Sequence, residues 1–214
     1  MDRAQMESFR LISNKNFERE KFYLNTQELA ARGVLGGVKT RDCFMRKTFS
    51  RLISYLEHPQ LEILFVGSNG SGKTRLVKEF QKIDSFFQRK WKNSYQSELL
   101  LVECSDLDLN SLDYLRIDEL GSSSVLFRGI ENLSLVAQTA LLGKLKTRDI
   151  VFSQDEQLLP RLYFTSERSM EIQVKAAKML FPLWDRWREN LVYFPNEQNP
   201  HEDVAVLGRS SLFY

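Results

Sequence analysis

The apolar run Leu61-Glu62-Ile63-Leu64-Phe65-Val66 passes directly into Gly67-Ser68-Asn69-Gly70-Ser71-Gly72-Lys73-Thr74, and this junction restricts the fold more than any other stretch of the chain. Short apolar runs of this kind read as strands buried on both faces. The residues that follow fit G-x-x-x-x-G-K-[ST] in full, between a strand and a helix start. There the glycines let backbone N–H groups turn inward around phosphate, and the helix N-terminus adds its positive dipole end. Gly67, Ser68, Asn69, Gly70, Ser71 and Gly72 would form the cradle. Lys73 would reach the β- and γ-phosphates of ATP or ADP, and the Thr74 hydroxyl would ligate Mg²⁺. A chance glycine-rich turn is the alternative, and the motif alone says nothing about turnover.

The rest of the chain alternates strand and helix signals. Apolar runs at Leu99 to Cys104, Ser124 to Phe127, Arg161 to Thr165 and Leu191 to Phe194 read as further strands. Helical spacing of apolar residues predicts helices from Thr40 to Leu56, Lys73 to Lys82, Leu133 to Lys146 and Ser169 to Trp187. His58-Pro59 ends the first of these. Strands alternating with helices imply a parallel sheet covered on both faces. Ahead of this, residues 1–32 read as a partly helical N-terminal extension, and Gly33-Val34-Leu35-Gly36-Gly37 as a breaker or hinge. The domain proper is then residues 33–214.

Composition excludes several other classes. With 43% hydrophobic and 27% charged residues the chain is an ordinary globular protein and not a disordered one. Thirty Lys+Arg against 28 Asp+Glu leave +2, too balanced to suggest direct nucleic-acid binding. The only two cysteines, Cys43 and Cys104, lie in apolar-flavoured segments and read as small buried thiols of a reducing compartment. The start has no signal-peptide core, and no run is long enough to span a bilayer. The expected location is cytoplasmic, with no membrane association.

Hydrolysis would need an acidic residue at a strand end for Mg²⁺ and a group that polarises water. Leu115-Arg116-Ile117-Asp118-Glu119 offers Asp118, but Arg116 interrupts the run and Asn110 and Asp113 stand just upstream. The better strand, Val125-Leu126-Phe127, runs into Arg128-Gly129.

The stretch from Val125 to Leu142, with Arg128-Gly129-Ile130-Glu131-Asn132-Leu133 and Ala137-Gln138-Thr139-Ala140-Leu141-Leu142, resembles L-F-L-D-E-I-G-D-L-P-L-E-A-Q-x-x-L-L. That pattern marks the AAA+ domain of bacterial enhancer-binding proteins, the sigma-54 activators. Gly33-Val34-Leu35-Gly36-Gly37 is similar to the family's I-G-x-S start, and Arg161-Leu162-Tyr163-Phe164-Thr165-Ser166-Glu167-Arg168 to its R-I-I-A-A-T-N-R strand. Phe194-Pro195 through His201-Glu202-Asp203-Val204 resembles L-P-P-L-R-E-R-x-E-D-I, so the likeness covers roughly residues 33–205. It implies a P-loop α/β fold with an AAA+-type parallel five-stranded sheet flanked by helices. In this register Asp118 and Glu119 precede the Walker B strand.

The departures from the family fall on chemistry. Arg128 and Gly129 replace the Walker B Asp and Glu, and losing such a carboxylate costs orders of magnitude in rate. The sensor Asn is Glu167, and the Asn ahead of Cys on the second strand is Glu103. Of the two expected arginine fingers, the first falls on Leu180 and the second on Arg186, whose alternative is a solvated arginine between Trp184 and Trp187. No G-A-F-T-G-A loop lies between Asp106-Leu107 and Val125, which argues against sigma-54 remodelling. Only a short tail follows Asp203, so the helical lid is expected to be absent and homo-oligomer assembly weakened. Glu103 is the candidate to rescue catalysis, being a carboxylate beside the phosphate loop; an inert acid is the alternative, and Glu131 and Glu167 are further acids nearby.

Other tempting residues have plainer readings. His58 and His201 read as surface or capping histidines, Phe181, Trp184 and Trp187 mainly as core, and Arg89-Lys90-Trp91-Lys92 as a solvated loop. The resulting expectation is an ATP-binding regulatory domain with hydrolysis weak or lost. It would act through a protein partner, such as a transcription regulator or an AAA+ homologue. An active small P-loop ATPase using Asp118 or Glu103, and a nucleotide-independent interaction module, stay open.

Overall fold

The five apolar runs pair into one parallel sheet in the computed structural model, which describes residues 3–91, 98–108, 117, 123–154 and 160–194. Side chains are described from residue 16 onward and, in the helix that ends at residue 154, as far as residue 150. The long helix α1 (Arg3–Ala31) leads into a small hairpin, β1 (Val34–Leu35) and β2 (Val38–Lys39), and then α2 (Cys43–Ser54). β3 (Ile63–Val66), the phosphate loop, α3 (Lys73–Trp91) and β4 (Leu99–Glu103) follow. The remainder is β5 (Ser124–Arg128), α4 (Leu135–Gln154), β6 (Arg161–Ser166), α5 (Met170–Lys175), α6 (Phe181–Trp187) and β7 (Leu191–Tyr193).

The sheet runs β4-β5-β6-β3-β7 with every pairing parallel. The two-residue period of the strands divides the core in two. Leu64, Val66, Val125, Phe127, Leu162 and Phe164 face α4, α5 and α6, meeting Ala137, Leu141, Leu145, Leu183 and Trp187. Ile63, Phe65, Leu126 and Tyr163 face the other way, onto Phe49, Leu52, Ile53, Leu76, Val77 and Phe80. β3 and β6 are buried along their whole length because helices cover both faces.

Several elements differ from expectation for identifiable reasons. α3 continues well past Lys82, to Trp91, because its buried stripe goes on through Asp84, Phe87 and Gln88. Arg89, Lys90 and Trp91 are therefore the last helical turn and not a loop; Lys92 lies outside the described residues. The Trp91 ring packs 4.8 Å from Phe22 of α1, so the N-terminal helix docks on the end of α3. α4 likewise runs past Lys146, since Arg148 rather than an apolar residue continues its buried side.

The expected helix 169–187 is two helices. Ala177 adopts a left-handed φ of 54°, and Pro182 sits in the first turn of α6, where its missing N–H costs nothing. Buried Gln138 of α4 fastens the break: its Nε2 donates to the carbonyls of Leu133 and Lys178, each at 2.9 Å, and its Oε1 accepts from the Leu180 N–H at 2.8 Å.

The glycine-rich 33–37 segment holds β1 and, at Gly36-Gly37, the turn of the β1–β2 hairpin. Gly36 has φ +53°, and a Cβ there would stand 2.6 Å from Glu79 Oε2, the atom that accepts the Gly37 N–H. Cys104 is buried, as expected, whereas Cys43 opens α2 and is exposed. His58 caps the short 3-10 turn after α2 and is exposed. Trp187 is core and Trp184 partly so, but Phe181 is 58% exposed.

Candidate nucleotide site

The loop leaves the C-terminal end of β3, and its shape follows from local contacts. The Gly67 N–H donates to the Ser166 carbonyl of β6 at 3.1 Å, and a Cβ on Gly67 would lie 2.7 Å from that of Phe194. Gly70 and Gly72 take left-handed φ of 79° and 92° with nothing within 4 Å of where a Cβ would stand. These conformations suit glycine and leave the inner side of the turn open. Lys73 is buried, and its Nζ donates to the carbonyls of Gly67 at 2.6 Å and Ser68 at 2.7 Å. Burial lowers its pKa below the usual lysine value; the Arg128 charge pushes the same way, and Glu167 and Glu131 oppose it. Ser71 Oγ is buried and takes no partner among the described residues.

A cleft of about 390 Å³ opens over the loop. Asn69, Gly70, Gly72, Lys73 and Thr74 line one side, and the ends of β4, β5 and β6 supply Glu103, Arg128, Glu131 and Glu167 opposite. The sheet thus brings Glu103, Arg128, Glu131 and Glu167 together around one cleft. Register sets Glu103 beside Arg128 on adjacent strands, and Arg128 Nη1 donates to Glu103 Oε1 at 2.5 Å. Gly129, with φ 69°, turns the chain out of β5, and its N–H donates to Thr165 Oγ1 at 3.3 Å. Glu131 Oε1 accepts the Glu167 N–H at 2.8 Å, which fixes the turn after β6, while its Oε2 is buried with no hydrogen bond from a described residue. The sequence singled out each of these residues; the Arg128–Glu103 pairing needed the strand register to be seen.

Arg186 lies elsewhere. Its guanidinium donates to Glu62 at 2.6 and 2.9 Å and to Asp149 at 2.8 Å twice. Burial works against this charge, but the hydrogen bonds to Glu62 and Asp149 outweigh it and raise the pKa above the usual arginine value. Glu62 precedes β3, whereas the phosphate loop follows it. The solvated-arginine alternative does not describe this side chain, which is 22% exposed, and a finger role would require it to leave both carboxylates. Leu180 caps α6. Asp118, Glu119 and His201 lie outside the described residues, as does the stretch beyond Phe194 where the lid question falls.

The donor set fits a phosphate chain: an open glycine turn, a lysine, a helix N-terminus and an unpartnered buried serine hydroxyl. It does not fit Mg²⁺ in the same way. Thr74 supplies one hydroxyl, Arg128 stands at the end of β5 and engages Glu103, and no group of three or more His, Cys, Asp or Glu among the described residues is placed to hold a metal.

A parallel β4-β5-β6-β3-β7 sheet with this loop after its β3 strand is a P-loop α/β fold with an AAA+-type sheet. No family model matches the chain, and no protein of curated function matches it. Solved structures do. NtrX from Brucella abortus in complex with ATP superposes with a TM-score of 0.53 at 12% identity, over 94% of this chain and 47% of that one. Its ADP complex gives 0.51 at 12% identity with the same coverage. The P-loop NTPase domain of a sigma-54 transport activator from E. coli gives 0.48 at 14% identity, over 72% of this chain and 96% of that one. The NtrX matches show the fold, and the chain spans about half the length of that protein's structure (47%).

Proposed function

We propose that this chain is an ATP- and ADP-binding regulatory domain in which hydrolysis is weak or lost. It would act in the cytoplasm through a protein partner, either a transcription regulator or another AAA+ subunit. One observation carries the reading: a complete phosphate loop, Gly67–Thr74, faces a strand end where Arg128 stands in place of a carboxylate and holds Glu103 at 2.5 Å. Binding elements are kept, and the carboxylate expected to act on water is committed to an ion pair. NtrX, whose fold this chain resembles, was crystallised with ATP and with ADP, which supports the choice of ligand.

Steady-state phosphate release tests the hydrolytic half. The expectation is turnover near background for the full chain, with Glu103→Gln leaving it unchanged. Sustained turnover that falls with Glu103→Gln would overturn the weak-hydrolysis reading. A second reading, an active ATPase, rests on Glu131, whose Oε2 is buried in the cleft and unpartnered among the described residues. Turnover abolished by Glu131→Gln would be its signature.

A further inference from the structure

The cleft mixes cations and carboxylates around the phosphate loop. Lys73, Arg75, Arg128 and Arg168 line it alongside Glu103, Glu131 and Glu167. Two of the acids are already engaged within the chain, Glu103 by Arg128 and Glu131 by the Glu167 N–H. The cation at the end of β5 is on the rigid part of the fold: Arg128 is the last residue of a strand paired on both sides, and its neighbours Phe127 and Ile130 are buried. Its side chain is 43% exposed toward the cleft rim, so it is within reach of a ligand without unfolding anything. A guanidinium is planar, always charged and shaped to grip two phosphate oxygens at once.

We infer that Arg128 takes the place of Mg²⁺ as the counter-charge of the terminal phosphates, so that this cleft binds a nucleoside triphosphate as the metal-free anion. Glu103 is the restraint on it: the carboxylate holds Arg128 between strands β4 and β5, and incoming phosphate oxygens exchange with that carboxylate for the guanidinium. The inference rests on the nucleotide-binding reading and deepens it. A dication carried in on the nucleotide would meet Arg128 at the end of β5 and Lys73 on the loop, with the Thr74 hydroxyl and the Glu131 carboxylate as the nearest lining ligands and Glu103 already paired with Arg128. The free triphosphate meets the same two cations as partners. Burial is the main cause of the lowered Lys73 pKa, and the Arg128 charge adds to it, so the two cations share one electrostatic neighbourhood.

Calorimetric titration of ATP into the full chain, once with excess MgCl₂ and once with EDTA, separates the possibilities. Affinity in EDTA is expected to equal or exceed that with Mg²⁺. Arg128→Ala should weaken binding in EDTA on the order of 10- to 100-fold, the worth of a charged hydrogen-bond pair. Glu103→Gln, which frees the guanidinium, should tighten it. Arg128→Asp should reverse the preference, binding ATP better with Mg²⁺ than without. Far-ultraviolet circular dichroism of each variant confirms that the fold is retained at these partly exposed positions. Binding by the unaltered chain only when Mg²⁺ is present overturns the inference and leaves the nucleotide reading intact, as does an EDTA affinity unchanged by Arg128→Ala. No ATP binding under either condition overturns the nucleotide reading itself and the inference with it.

Discussion

Asp84 and Arg161 show what a single residue decides in this protein. Both are fully buried, one on the phosphate-loop helix and one at the start of β6, with Arg161 Nε 2.7 Å from Asp84 Oδ2. The guanidinium also donates to the carbonyls of Tyr55 at 2.7 Å and His58 at 3.3 Å, so it ties β6 to both α3 and the 3-10 turn after α2. Asp84→Ala would leave that charge buried and uncompensated, and should cost about 3–5 kcal/mol in urea unfolding. Asp84→Ala combined with Arg161→Met should recover much of the loss, because removing both charges removes the desolvation penalty as well. The same scale explains which site residues could be read in advance. Gly67 to Thr74 work through backbone atoms of consecutive residues, so spacing alone reveals them. Arg186 depends on Glu62, 124 positions away, and no local signal could have announced that its donors were taken.

At the scale of elements, helix lengths were the least legible feature. The reason is a recurring one: α3 and α4 continue their buried stripes with Asp84, Gln88 and Arg148 instead of apolar residues. Each polar side chain is satisfied inside, Gln88 for instance donating to the Leu56 carbonyl at 2.7 Å, so burial does not require hydrophobicity here. An apolar periodicity stops where the helix does not. The opposite holds at 169–187, where apolar spacing continues across a break between two helices that Pro182 and the Gln138 side chain determine. Gln138→Ala should leave the buried Leu133 carbonyl and the part-buried Leu180 N–H without their partner and destabilise the protein by about 1–3 kcal/mol. Hydrogen exchange at the Leu180 amide should accelerate beyond what global unfolding explains. A change confined to the exposed surface of α6 would contradict this role for the glutamine.

Over the whole molecule, the sheet could be anticipated because its strands are apolar without interruption and alternate with helices, a pattern with few solutions. Strand order put Glu103, Arg128 and Glu167 around one loop, and that convergence is a property of the fold alone: the residues come from three different strand ends. The N-terminal helix belongs to the same body, since Phe22 and Ala30 pack into the core shared by α2 and α3. The architecture therefore sets a glycine-rich loop with Lys73 against Arg128, Glu103, Glu131 and Glu167. Whether that loop holds a nucleotide is the claim on which everything else depends. Calorimetric titration of ATP into the full chain and into Lys73→Ala tests it most directly. The account predicts saturable binding of one nucleotide per chain that Lys73→Ala abolishes or weakens by orders of magnitude. No heat of binding in the unaltered chain, or an affinity that Lys73→Ala leaves unchanged, would contradict it.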